Sequence, residues 1–222
     1  MPRTADVEMD IHGQSQQDAS TVPCKRGRPK CFDEERALQQ AMLLFWEYGY
    51  EATSIGELTA VMGITAPSLY RSFGDKATLF QKCLAYYREH ESCEMEKILQ
   101  QAYSIQAGLR QYLYLAASYL VQSHKPRGCM MVLSTINCSN DNQHVQDDLM
   151  LQRQKKQATL LQYLQQAHQN GELNAQTDLD ALALFLMNVM LGMSLQARDG
   201  ATRSQLEQVI DQAMHIWPDQ TK

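Results

Sequence analysis

From residue 33 onward, apolar side chains recur every third or fourth position, and no stretch alternates with period two. The pattern predicts an all-α chain. Leu38, Ala41, Met42, Phe45 and Trp46 form one helical stripe. The spacing predicts a helix over 34–47, with Asp33, Glu34 and Glu35 at its positive end and Gly49 ending it. "TSIGELTAVMGITAPSLYRSFGDKATLF" (53–80) then predicts three short helices in close succession. The first (54–62) is capped by Thr53 or Ser54 and buries Ile55, Leu58 and Val61 or Met62. Gly63 makes the turn and Ile64 plugs it. Thr65 caps the second (66–73), which tolerates Pro67 because first-turn amides have no intrahelical acceptor. Leu69 and Phe73 face inward, with Tyr70 at their edge. Gly74 stops that helix, and Asp75 caps a third that runs on to residue 100.

Beyond residue 100 the pattern is one of helices near 106–123, 129–138, 143–169, 177–198 and 203–216. "KPRG" (125–128), "NCSNDN" (137–142), "QNGELN" (169–174) and "RDG" (198–200) separate them. "DLDALALFLMNVMLGMSLQA" (178–197) is apolar almost all round, more than one buried face of a monomer requires. The excess predicts a homodimer formed through the two C-terminal helices, about 177–198 and 203–216.

Composition changes this picture in three places. Residues 1–24 are rich in Gln, Ser and Asp and have no apolar period, so a disordered tail is expected. They hold one arginine against four acids, part of a net charge of −5. "KRGRPK" (25–30) then carries four cations and no acid, and a local patch of this kind is what meets phosphate. The six cysteines fall at irregular spacings, which argues against a disulfide framework. No run of 18 apolar residues occurs and the N-terminus has no signal-peptide core, so a cytoplasmic protein with no membrane partner is expected.

Two short helices joined by a glycine-bearing turn form a helix-turn-helix, whose second helix is of a size to enter the major groove. The second helix is 66–73. Thr65, Ala66, Pro67 and Ser68 lie at its N-terminus, small enough for close approach to base edges. Arg71 can reach a guanine or a phosphate, and Tyr70 can donate its hydroxyl to a phosphate. Lys76 and Thr53 are candidate phosphate clamps at neighbouring helix starts. Arg26 and Arg28, with Lys25 and Lys30, form an arm for the backbone or the minor groove.

The same residues carry a likeness. Thr53-Ser54-Ile55, Leu58, Gly63-Ile64-Thr65, Leu69-Tyr70, Phe73, Lys76 and Leu79-Phe80 resemble the DNA-binding signature of TetR-family (AcrR-like) regulators. "FWEYGYEATS" (45–54) resembles that family's approach to it, and the match covers about residues 31–80. Thr59 and Met62 stand where the family usually has alanine, and Pro67 replaces a common glycine. The resemblance implies a homodimeric transcription regulator, usually a repressor, that leaves a palindromic double-stranded operator when a small-molecule effector binds. It implies a tail (1–24), a helix-turn-helix DNA-binding domain with a basic arm (25–82), and a larger helical effector and dimerisation domain (83–222).

Other chemistries leave weaker traces. Cys129 at a helix N-terminus and Cys138 at the end of the same segment could sense oxidants or electrophiles. Cys83, His90 and Cys93 share one helical stripe, but Cys83 and His90 lie about 10 Å apart and cannot share an ion. His90 with Cys93 would need further ligands. The thiols and 12 methionines would suit copper best, as an alternative effector. A helical module contacting protein in place of DNA is the other alternative. There is no glycine-rich phosphate loop, HExxH or nucleophile elbow, so no catalytic residue, metal or cofactor is expected.

Overall fold

The computed structural model describes residues 33–91, 95–134 and 139–218. The basic arm with Arg26 and Arg28, and Cys93 and Cys138, lie outside the described residues. Among the described residues every regular element is helical: α1 (Glu34–Ala52), α2 (Ile55–Met62), α3 (Ala66–Phe73), α4 (Lys76–His90), α5 (Met95–Gln101), α6 (Ile105–Leu120), α7 (Met130–Leu133), α8 (Gln143–Gln169), α9 (Leu179–Arg198) and α10 (Arg203–His215). A 3-10 turn at Asn140–Asn142 leads into α8.

Side-chain caps set most of the starts. Asp33, Asp75, Ser104 and Asp178 each accept from the amide three residues on, which satisfies one of the orphan donors of a first turn. At α2 the cap is Ser54, whose hydroxyl and amide are met reciprocally by Glu57. Thr65 occupies the N-cap position of α3, but its hydroxyl accepts from no backbone amide and donates instead to Ser68 Oγ.

The first four helices pack around an aromatic knot. Phe80 meets Phe45 edge-on at 5.0 Å and Tyr50 at 5.1 Å, and all three rings are buried. Leu58 from α2 and Leu69 from α3 are fully buried beside them. The inner face of α2 uses Met62, while Val61 is exposed. The second core draws Leu109 and Leu113 of α6, Leu160 and Leu164 of α8, Leu186 of α9 and Ile210 of α10 into one cluster.

Two elements differ from the sequence pattern. The helix expected from 76 to 100 stops at His90, because Glu91 turns inward, is buried, and pairs with the Lys125 ammonium. The helix expected over 129–138 is described only as Met130–Leu133, closed at Ser134. α9 is long and apolar enough to cross a membrane by length and composition alone, since averaged hydropathy tolerates Asn188 and Gly192. It packs against α6, α8 and α10.

Removing one buried ring of the knot by Phe45→Ala should cost about 3–5 kcal/mol. Urea unfolding should show a lower midpoint with an unchanged slope. A midpoint within error of the parent would mean that the knot does not hold the first four helices.

Candidate nucleic-acid interface and adjoining cavity

An eight-residue helix is unstable alone in water, so α3 exists because its inner side is held. Leu69 is fully buried, Phe73 nearly so, and Gly74 N–H closes the last turn on Tyr70 O at 3.1 Å. That fixation leaves the opposite side to solvent. Pro67 and Arg71 are exposed, Tyr70 is 51% exposed, and Ala66 and Ser68 are half-buried. The expected recognition residues therefore share one outer surface. Tyr70, placed at the edge of the inner face by the pattern, stands in solvent.

The two expected phosphate clamps part company. Lys76, in the first turn of α4, is half-buried and holds its ammonium 4.4 Å from the centre of the Tyr50 ring. Thr53 is 1% exposed, and its hydroxyl donates to Gly49 O at 2.7 Å. Its side chain is a strut inside the head, and its oxygen faces α1 and not solvent. The cause is Gly49, whose φ of 81° breaks the helical path inside α1 and turns its carbonyl toward Thr53.

That break also joins the head to the rest of the chain. The Tyr50 amide, released from the helical ladder, donates to Ser134 O at 2.9 Å. A Cβ on Gly49 would stand 3.2 Å from that same carbonyl oxygen. Trp46 Nε1–H donates to Gly128 O at 3.1 Å, and the Trp46 ring meets Tyr87 edge-on at 4.9 Å. Gly128 has φ 82°, and a Cβ there would lie 2.8 Å from Ser194 O. Arg127 donates to the carbonyls of Ala197 and Ala201, and Arg198 donates to Glu47 O. Residues 125–134 are thus pinned to α1, α4 and α9 together.

Behind this segment lies a cavity of about 100 Å³, bordered by α4, α6, α7, α8 and α9. Cys129 is half-buried in its wall; its amide donates to Ser194 Oγ at 2.9 Å and its sulfur accepts from the Tyr87 hydroxyl at 3.4 Å. Burial, reinforced by the Cys129 thiol, pushes the Tyr87 phenol up. Burial alone pushes the Cys83 thiol far up and keeps it unreactive. Among the described residues no three His, Cys, Asp or Glu side chains gather as a metal site. His90 stacks on Tyr86 at 4.1 Å, with Nδ1 3.0 Å from Tyr86 O.

Sequence comparison agrees with the geometry. Residues 37–83 match the family described as "Bacterial regulatory proteins, tetR family", and residues 107–214 match "Tetracyclin repressor-like, C-terminal domain". The HTH-type transcriptional repressor ComR of Escherichia coli is 34% identical over 202 residues, spanning 90% of this chain and 96% of that protein. The chain belongs to the TetR family. It is a DNA-binding transcriptional regulator, of a family that regulates transcription and does not catalyse reactions. The HTH-type transcriptional repressor BdcR of Escherichia coli is 35% identical over 187 residues, 84% of this chain and 88% of that protein. Among solved structures, a cysteine-substituted form of the TetR-family regulator CifR, complexed with 26-bp double-strand operator DNA, superposes with a TM-score of 0.82. It is 34% identical and covers 86% of this chain and 100% of its own.

The cap of α4 gives a pH test. Hydrogen bonds from Thr78, its backbone amide first, lower the Asp75 pKa. Its folded value lies below its unfolded one, so the cap stabilises above the ordinary aspartate pKa of about 3.9 and is lost as pH falls through the lowered folded value. Asp75→Ala should cost about 1 kcal/mol at neutral pH. The difference from the parent should shrink as denaturation is repeated in increasingly acid buffer, and a pH-independent difference would rule out the carboxylate as its source.

Proposed function

We propose that this regulator is a cytoplasmic homodimeric repressor that reads a palindromic operator with the outer surface of α3 and leaves it when a small effector enters the cavity. The observation that carries the reading is the exposure of Pro67, Tyr70 and Arg71 on a helix whose other side is fully buried. Small residues 66–68 admit the helix end to the major groove, Arg71 reads a guanine or a phosphate, and Tyr70 and Lys76 hold phosphates. Arg26 and Arg28 of the basic arm add backbone or minor-groove contacts. Thr53 serves by fixing the start of α2, and Thr65 by steadying Ser68. Residues 25–82 then act as the reading domain and 83–222 as the effector and dimerisation domain.

Apolar surface on the last two long helices supports the dimer. On α9, Leu184 and Leu195 are 51% and 47% exposed; Val209 on α10 and Ile216 at its C-cap are 43% and 56% exposed. Exposed apolar side chains of this kind support an interface, and pairing the two helices with their symmetry mates makes a four-helix bundle. Two-fold symmetry places the half-sites about 34–36 Å apart. The segment 125–134 supports the coupling, since it walls the cavity and bonds to α1. An effector acts only through a difference in its affinity for the competent and incompetent states.

Footprinting of the upstream DNA should reveal a two-fold site. Arg71→Ala and Tyr70→Ala should each weaken operator binding by about 1–3 kcal/mol while the dimer stays folded. Lys76→Ala should weaken all sequences alike and lower the salt slope by about one. Unchanged gel-shift affinity for the Tyr70 and Arg71 variants would sink the recognition surface. Leu195→Glu should give monomers in sedimentation, and a parent protein that is monomeric at micromolar concentration would refute the dimer.

A further inference from the structure

The outer side of α9 carries Leu184, Asn188 and Leu195 in solvent, and the helix packs chiefly against α6, α7, α8 and α10. It reaches the reading head through a side chain. Arg198, the last residue of α9, donates to Glu47 O in α1 from one guanidinium nitrogen, and a second nitrogen stands 3.4 Å from the Glu47 carboxylate. Arg198 lies three residues past Leu195, so it springs from the same side of the helix as the exposed leucines. Glu47 lies two residues before the break at Gly49.

The stem that carries Arg198 is itself fixed. Arg127 Nε donates to Ala197 O at 2.8 Å, and the Asp199 and Gly200 amides close the last turn on Leu195 O and Ala197 O at 3.0 and 3.1 Å. The head therefore has two kinds of tether. Trp46 and the Tyr50 amide tie it to residues 125–134 beside the cavity, whereas Arg198 ties it to a helix of the proposed dimer. As a stabilising ion pair Arg198 and Glu47 offer little, since their side chains are 31% and 44% exposed. The value of the contact is directional. Two donors of one planar guanidinium on two acceptors of one residue fix an angle as well as a distance.

We propose that Arg198 is a positioning residue for DNA reading: it sets the angle of each head on the dimer helix and so makes the regulator selective for one half-site spacing. The assignment rests on the dimer through α9 and α10. One base pair inserted between half-sites moves one of them about 3.4 Å along the duplex and about a tenth of a turn around it. A stiffly held head cannot follow both displacements. Without the Arg198 fork the head turns more freely on its tether to residues 125–134. The parental spacing then loses preorganisation, and altered spacings lose a mismatch. The outer surface of α3 is left intact, because the bond is to α1.

The test uses the full chain and the footprinted operator, remade with its spacer shortened or lengthened by single base pairs, beside DNA that holds one half-site. Arg198→Gln should bind the parental spacing about five- to tenfold more weakly, with half-site affinity and sedimentation unchanged. Its affinity for the altered spacers should hold or rise, so that spacing selectivity shrinks. Arg198→Lys keeps the charge but not the fork, and should fall between parent and Arg198→Gln. Equal weakening on every spacing and on the half-site would show a merely structural role and overturn the assignment, as would an Arg198→Gln protein that no longer dimerises. A monomeric parent would bring down the dimer and this assignment together. A dimeric parent indifferent to spacing, or an Arg198→Gln dimer that keeps its full selectivity, would bring down this assignment alone.

Discussion

The hydrogen bond from the Tyr50 amide to Ser134 O is the contact on which the rest of the arrangement turns. An amide inside a regular helix has its acceptor four residues back and cannot serve a distant partner. Gly49 removes that constraint with a left-handed φ that a side chain would resist, and the absence of a Cβ lets Ser134 come close. One residue therefore ends the regular part of α1, aims the carbonyl that Thr53 requires, and frees the donor that holds the segment behind the head. The Phe45–Tyr50–Phe80 knot sits against this point, so the clamp on the head and its tie to the larger core share one stretch of chain.

This geometry explains how a two-turn helix can be dependable. α3 contributes Leu69 and Phe73 to a core it does not build, and its outer residues inherit their positions from α2 and α4. On the proposed reading, DNA recognition by this TetR-family regulator rests on a rigid mounting more than on a stable helix. The link to the cavity is polar and specific where the mounting is aromatic and apolar. Trp46 to Gly128, Arg127 to the end of α9, and Arg198 back to Glu47 form a closed circuit of bonds around residues 125–134.

Much of the head was legible in the sequence because local rules decide it. Asp75 caps α4, Leu69 and Phe73 face inward, and Gly63 turns between α2 and α3, all from neighbours within four residues. The misreadings have distant causes. Glutamate is a good helix former, so position 91 reads as helix; its burial depends on Lys125, 34 residues later. Thr53 reads as an exposed helix start, and only the carbonyl direction at Gly49 turns it inward. The cavity was not legible at all, since its wall and rim come from five helices whose mutual rotation no periodicity records. Cys129 was singled out for its place at a helix start, yet that helix is four residues long and the notable neighbour of its sulfur is the Tyr87 hydroxyl.

Gly128 carries a consequence of a different kind. Its carbonyl serves α1, its amide donates to Leu120 O at 2.9 Å, and its α-carbon faces the backbone of α9 with no room for one more atom. Every replacement of a glycine introduces a β-carbon, so no substitution at this position preserves the close approach. Gly128 bonds to α1 and α6 and abuts α9, so any side chain here forces those contacts apart.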